Sequence, residues 1–204
     1  VRDLTAKHEV KLIFDEVQCG MGRTGFPFAA QRADVLPDLL TTAKGLAGGF
    51  PAGALLVTEE IGKIVKTGDL GTTFGGGPMA CALIEATIAA IEDEQLLAQV
   101  RGNSAHLIEG VLAAAPSLIT EVQGAGYLLG LRTTKPAKLV LAELANEGIL
   151  AGGSSDPHVV RLLPPLVLEA AHVETLIAAL ARIAERVSDP VAERVSDPVA
   201  ERRP

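Results

Sequence analysis

Short, nearly continuous apolar runs alternate with helical segments along this chain, and that alternation confines it to layered folds of helix and sheet. Val10-Lys11-Leu12-Ile13-Phe14 suits a strand of a buried parallel sheet. Leu39-Leu40-Thr41-Thr42-Ala43 and Gly53-Ala54-Leu55-Leu56-Val57-Thr58 read as further strands, and Glu59 to Lys66 as a short helix. Pro78 fits a helix first turn. Met79, Leu83, Ile84, Thr87, Ile88 and Ile91 follow it at helical spacing. Another helix is expected from Gln95 to about Ala115, where Pro116 stops it.

The texture then changes. Leu118 to Arg132 reads as two strands broken at Gly124 and Gly126, and Ala137 to Asn146 as a helix closed by Gly148, a residue suited to a C-cap. Val159-Val160-Arg161-Leu162-Leu163 is a strand ended by Pro164-Pro165, and Val173, Leu176, Ile177, Leu180 and Ile183 mark an amphipathic helix. The expected class is α/β or α+β, with a domain boundary near residue 95. Residues 187 to 202 write the octapeptide Val-Ser-Asp-Pro-Val-Ala-Glu-Arg twice. Two copies are too few for a solenoid, and Pro190 and Pro198 oppose a continuous helix. Residues 187–204 are therefore expected to be a mobile tail with no part in an active site.

Of the 204 residues, 48% are apolar, enough for a sizeable core and too many for a disordered chain. No apolar run approaches the roughly 18 residues of a membrane span, and Val1-Arg2-Asp3-Leu4 shows no secretory pattern. The net charge is −7 and no Lys/Arg block occurs, which argues against nucleic acid as a partner. Cys19 and Cys81 match no CxxC pattern and read as reduced thiols of a cytoplasmic protein. His8, His106, His158 and His172 lack metal-ligand spacing, so no metal site is expected.

Chemistry enters with Lys44, which is flanked by small residues and followed by the turn Gly45-Leu46-Ala47-Gly48-Gly49. Twenty-nine residues upstream, Asp15 ends the first apolar run. A lysine in a tight loop and an acid at a strand end are what a pyridoxal phosphate site requires. The amine condenses with the cofactor aldehyde, and the acid holds the pyridine nitrogen protonated so that the ring can act as an electron sink.

Other motifs carry less. Gly20-Met21-Gly22-Arg23-Thr24-Gly25 matches GxGxxG, but a dinucleotide turn should open a helix, and Phe26-Pro27-Phe28 follows instead. Gly71-Thr72-Thr73-Phe74-Gly75-Gly76-Gly77 leads into a helix. Its hydroxyls suit either a phosphate or a plain helix cap. Gly152-Gly153-Ser154-Ser155 precedes a strand and reads as a turn. Arg161 interrupts an apolar strand and needs a charged partner, for which a structural acid is the first expectation and a substrate carboxylate the second.

Taken together, these segments resemble the class III (ornithine-type) aminotransferases of pyridoxal phosphate fold type I, in particular their acetylornithine/succinylornithine branch. The resemblance rests on Phe14-Asp15-Glu16-Val17-Gln18 with Gly20 to Gly25, and on Pro37-Asp38 leading to Ala43-Lys44-Gly45. Gly48-Gly49-Phe50-Pro51, Thr72-Thr73-Phe74-Gly75-Gly76 and Arg161-Leu162-Leu163-Pro164-Pro165-Leu166 complete it, over about residues 1 to 186. It implies part of the large-domain sheet in residues 1–94 and the small α+β domain in residues 95–186. It implies pyridoxal 5'-phosphate as cofactor, with Lys44 forming the internal aldimine and shuttling a proton. Asp15 would hold the pyridine nitrogen, Val17 pack on the ring and Gln18 contact its phenolic oxygen. Thr72 and Thr73 would serve the phosphate of a partner subunit in a homodimer, and Arg161 would pair with substrate.

Two positions depart from the family pattern. Gly77 stands where Asn is usual, and Gln123 where Arg commonly precedes the Gly-x-Gly turn. The family enzyme is also about twice as long. The half without a counterpart here carries the main phosphate turn, the aromatic residue stacked on the ring and the principal arginine for the substrate α-carboxylate. The implied reaction moves the δ-amino group of N-acetylornithine to 2-oxoglutarate. Another ω-amino transamination (ornithine, succinylornithine or 4-aminobutyrate), or an inactive fragment acting as a binding module, are the alternatives.

Overall fold

The computed structural model describes residues 1–188, and the chain divides into two compact units, Val1–Val100 and Arg101–Pro204. The division falls inside one long helix rather than in a linker.

The first unit begins with α1 (Arg2–Lys7), β1 (Ile13–Asp15), α2 (Ala29–Arg32) and β2 (Leu39–Thr42). A one-turn 3-10 helix, Lys44–Ala47, leads to β3 (Ala54–Val57), α3 (Glu59–Gly62) and α4 (Pro78–Asp93). β2 lies centrally, parallel to β1 with Asp15 beside Thr41, and antiparallel to β3 with Thr42 beside Ala54. The parallel pairing agrees with the apolar pattern of β1, but the expected burial does not follow. Ile13 is 59% exposed, and all four residues of β3 are exposed, Leu55 by 52%. Both faces of an apolar edge strand are thus bare. The helix expected over Glu59 to Lys66 stops at Gly62: Lys63 caps it with a last helical bond to the Glu59 carbonyl, and the Ile64 N–H turns to the Ile61 carbonyl three residues back.

α5 (Leu96–Ala114) leads into the second unit, which holds β4 (Ile119–Ala125), β5 (Leu128–Thr133), α6 (Ala137–Asn146), β6 (Val159–Leu162) and α7 (Ala170–Ser188). β5 is central and antiparallel to both neighbours. Its residues alternate between half-buried and buried, with Leu129, Leu131 and Thr133 facing the core. β4 and β5 turn over Gly126-Tyr127, and Gly126 takes the left-handed conformation that such a turn needs. Gly124 interrupts no strand, contrary to the expected break. It sits inside β4 at φ 103°, where an added Cβ would lie 2.0 Å from the Leu128 carbonyl oxygen. Gly148 does close α6, at φ 78°, with the Ile149 N–H donating to the Leu144 carbonyl. The apolar stripe of α7, Val173, Leu176, Leu180 and Ile183, enters a core shared with Val111, Leu131, Val140 and Val160. α7 runs to Ser188, so Val187 and Ser188, expected in a mobile tail, belong to the helix. The rest of the repeated octapeptide lies outside the described residues.

Candidate active site

β1 and β2 are adjacent parallel strands, and their C-terminal ends bring two chemical groups to one edge of the sheet. Ligands of such sheets characteristically sit outside these strand ends. Asp15 is the last residue of β1, and in the paired register its neighbour is Thr41, three residues before Lys44. Asp15 is exposed. Its Oδ1 accepts the Val17 N–H at 3.0 Å and the Thr41 hydroxyl at 3.3 Å. Its Oδ2 takes no hydrogen bond from a described residue, which leaves one acceptor for a donor from outside.

Lys44 opens the 3-10 turn at φ 49°, left-handed backbone that costs a side-chain-bearing residue energy. Met21 is left-handed as well, at φ 54°, and its Cβ would lie 3.7 Å from a Cβ built on Gly45. The loop after β1 and the turn after β2 therefore meet at the lysine, and both hold strained residues there. The Lys44 ammonium is exposed and pairs with no acid among the described residues. An amine without an ion-pair partner, next to a strand whose terminal carboxylate has a spare acceptor, fits the carbonyl and the pyridine nitrogen of pyridoxal phosphate.

Val17 is half-buried and Gln18 exposed, two and three residues after Asp15. The residues Gly20 to Gly25 form turns instead of opening a helix. The Gly22 N–H donates to the Pro27 carbonyl and the Gly25 N–H to that of Gly22. The acid between Asp15 and Val17 behaves differently from both. Glu16 is buried, with its carboxylate on the Ala29 and Ala30 N–H groups. Burial, and then the nearby Glu16 charge, push the Cys19 thiol above its ordinary pKa. Sequence reasoning assigned Glu16 nothing and overlooked Thr41 as a donor to Asp15. Strand alternation was the available signal for the first, and a hydroxyl at the matching strand end for the second.

Thr72 and Thr73 lie in an exposed loop, and no described hydrogen bond ties either hydroxyl to Asp15 or Lys44. Neither caps the following helix. Gly77 holds the N-cap position of α4 with no side-chain bond, and Pro78 follows it at the first turn.

Arg161 belongs to the second unit. The structural acid expected beside it is not found among the described residues, and the side chain is exposed on a strand whose other residues are buried. Its cross-strand neighbours explain the freedom. Gly130 stands opposite on β5 and Gly152 bridges it from the other side. A Cβ on Gly152 would sit 3.6 Å from both Nε and Nη2 of Arg161, so the guanidinium lies over bare backbone. It lines a cavity of about 500 Å³ with Leu162, Leu163, Pro165, Leu168 and His172.

The sequence profile of the family described as Aminotransferase class-III matches residues 1–184, and the chain belongs to that family, whose cofactor is pyridoxal 5'-phosphate. Acetylornithine aminotransferase 1 of Bordetella bronchiseptica is 42% identical over 189 residues, covering 91% of this chain and 48% of that protein. The acetylornithine aminotransferase of Methanocaldococcus jannaschii is 41% identical, over 90% of this chain and 46% of its own. The crystal structure of the acetylornithine aminotransferase from Elizabethkingia anophelis superposes with a TM-score of 0.83 at 31% identity, over 90% of this chain and 47% of that one. The ornithine aminotransferase of Toxoplasma gondii gives 0.84 at 28% identity, over 92% and 46%. The chain thus spans about half the length of the relatives it matches. Among the described residues, no helix is long and apolar enough to cross a membrane.

Proposed function

We propose that a protein containing this chain transfers the δ-amino group of N-acetylornithine to 2-oxoglutarate, leaving an aldehyde on the donor and releasing glutamate. The observation that carries this reading is the placement of Asp15 and Lys44 at the ends of neighbouring parallel strands, each with an unengaged functional group. The names of the relatives at 41–42% identity supply the substrate.

Bound pyridoxal phosphate supplies an electron sink for the carbon that loses its amino group. The chain's own residues would do the rest. Lys44 would hold the cofactor through its Nζ and, once displaced by substrate, move a proton at the carbon bearing the amino group. Asp15, fixed in orientation by the Val17 N–H and the Thr41 hydroxyl, would pair through Oδ2 with the ring nitrogen and keep it protonated. Val17 would pack on the ring, and Gln18 would meet its phenolic oxygen. Thr72 and Thr73 would serve the phosphate of a second subunit in a homodimer. Arg161, free of any described acid, would take a substrate carboxylate through its planar fork of donors.

A second reading has its own support. The ornithine aminotransferase of Toxoplasma gondii superposes as closely as the acetylornithine enzyme, so the fold does not select the donor. The bare faces of β3, in a chain half the length of its relatives, also favour an isolated chain that turns over poorly.

Two measurements test the proposal. Borohydride reduction of a cofactor-loaded sample, followed by peptide mass spectrometry, should place the pyridoxyl group on Lys44. Label spread over Lys63, Lys66 and Lys135 would reduce the chemistry to nonspecific amine trapping. A donor panel run on a protein carrying both halves should rank N-acetylornithine above ornithine and 4-aminobutyrate. A preference for ornithine would replace the first reading with the second.

A further inference from the structure

Between Asp15 and Val17 lies a carboxylate that faces the other way. Glu16 is 2% exposed, and a carboxylate that deep needs donors around it. Backbone supplies them. Oε2 accepts the Ala29 N–H at 2.6 Å and Oε1 the Ala30 N–H at 2.7 Å, while the Cys19 thiol lies 3.8 Å from Oε2. These N–H groups open α2, whose N-cap residue, Phe28, has no side-chain acceptor. Glu16 stands in for that missing cap from the end of the preceding strand.

Its backbone is engaged as well. The Glu16 N–H donates to the Thr41 carbonyl at 2.9 Å, extending the β1–β2 ladder one step beyond Asp15, and its carbonyl accepts the Gly20 N–H at 3.0 Å. Gly20 has no room for a side chain there, since a Cβ would come within 2.8 Å of the Glu16 oxygen. Successive side chains of extended backbone point to opposite sides. With Glu16 locked inward on α2, Asp15, the last residue of β1, points the other way and is exposed, while Val17, which opens the following turn, is tied to Asp15 by its N–H on Oδ1. The bond to Thr41 ties the same residue to the strand that leads into the Lys44 turn.

We propose that Glu16 is a positioning residue of the cofactor site: its buried carboxylate, clamped on the start of α2, sets the direction of Asp15 and, through the Val17 N–H on Asp15 and the Gly20 N–H on its own carbonyl, the turn that carries Val17. The inference rests on the cofactor roles proposed above for Asp15 and Val17. It differs from simple stabilisation because it concerns where those side chains point and not only whether the unit folds.

The test uses the 204-residue chain with Glu16→Gln, whose amide keeps one acceptor oxygen and turns an NH₂ toward a backbone N–H. Asp38→Asn is the control. Asp38 also receives a backbone N–H, that of Leu12 at 2.7 Å, but lies at the opposite end of β1. Amide exchange by NMR without cofactor should show Val17, Ala29 and Ala30 opening in Glu16→Gln, with β4, β5 and β6 unchanged. Absorbance titration with pyridoxal phosphate should show about tenfold weaker binding in Glu16→Gln, the scale of one lost charged hydrogen bond. Asp38→Asn should lose stability without that loss of affinity. Unchanged exchange at Val17 would overturn the proposal, and so would equal loss of affinity in the two variants at equal loss of stability. If Glu16→Gln does not fold, Glu16→Asp keeps the charge and withdraws it by one methylene, and the same two outcomes decide. If the wild-type chain takes up no cofactor, the titration is run on a protein carrying both halves, where absence of uptake would refute the proposed function, while Val17 exchange still decides the role of Glu16.

Discussion

Lys44 should be a residue that the fold would be more stable without. It sits at φ 49°, its side chain is exposed, and its ammonium has no acid partner among the described residues. Left-handed backbone costs an L-residue about 1–2 kcal/mol. Replacement by glycine removes that strain but frees the unfolded chain, which returns about 0.4–1 kcal/mol. Lys44→Gly should therefore exceed Lys44→Ala in stability by about 0.5–1 kcal/mol, because both lack the amine and only alanine keeps the strain. For a unit of 100 residues, that difference is a rise of roughly 2–6 °C in thermal midpoint. The assay is the melting curve of both variants by circular dichroism, with borohydride labelling confirming that neither is modified at position 44. A Lys44→Gly variant no more stable than Lys44→Ala would show that the left-handed turn carries no strain. The strain would then be no sign of a functional constraint.

In a protein carrying both halves, Asp15→Asn should lower kcat far more than it raises KM, since a neutral amide fails the ring nitrogen in the transition state and not in binding. An unchanged kcat would refute the role of Asp15. Gly124→Ala should cost the second unit about 2–4 kcal/mol, from a forced left-handed alanine and a clash with the Leu128 carbonyl, read as a lower urea midpoint. Acid should weaken the second unit. The His158 N–H, then the Arg132 guanidinium, hold Asp156 below the ordinary carboxylate range, and hydrogen bonds from Arg182 and Arg186 do the same for Glu147. A depressed folded pKa gives stability that is present above the unfolded value of about 4 and lost as pH falls through the folded one. Melting curves from pH 6 to pH 3 should show a decline in that window that Glu147→Gln makes shallower. An identical decline in the variant would remove Glu147 from the account.

The second unit was legible in the sequence because its elements bury the faces that their periodicity marks. Val173, Leu176, Leu180 and Ile183 recur at helical spacing and reach the core, and Gly148 ends α6 where its conformational freedom is used. The first unit was legible in its strands but not in their burial. Val10 to Phe14 reads as a doubly covered strand, yet Ile13 lies open. Apolar character reports the burial a strand is adapted to, and a chain of half the family length does not itself supply all the covering layers. The short helices α1 and α2 went unread because neither carries a hydrophobic repeat. α2 exists through the Glu16 clamp, a contact between distant residues that no local pattern announces.

The site divides along the same line. The placement of Asp15 and Lys44 was readable because each stands in a local context, a strand end and a glycine turn, that the backbone realises at the ends of adjacent parallel strands; their roles are those proposed above. Arg161 was misjudged toward a structural ion pair because burial was inferred from Val159, Val160 and Leu162, its neighbours in sequence. Its neighbours across the sheet are Gly130 and Gly152, which leave the guanidinium open and unpaired. A charged residue on an apolar strand is costly only if the strands beside it close over it. Glycines at both cross-strand positions are the sequence-level reason that they do not, but identifying them requires the register. An arginine kept in solvent by two glycines, at the rim of an apolar cavity, supports the proposal that it takes a carboxylate from outside the chain, and not the expectation that it neutralises one within it.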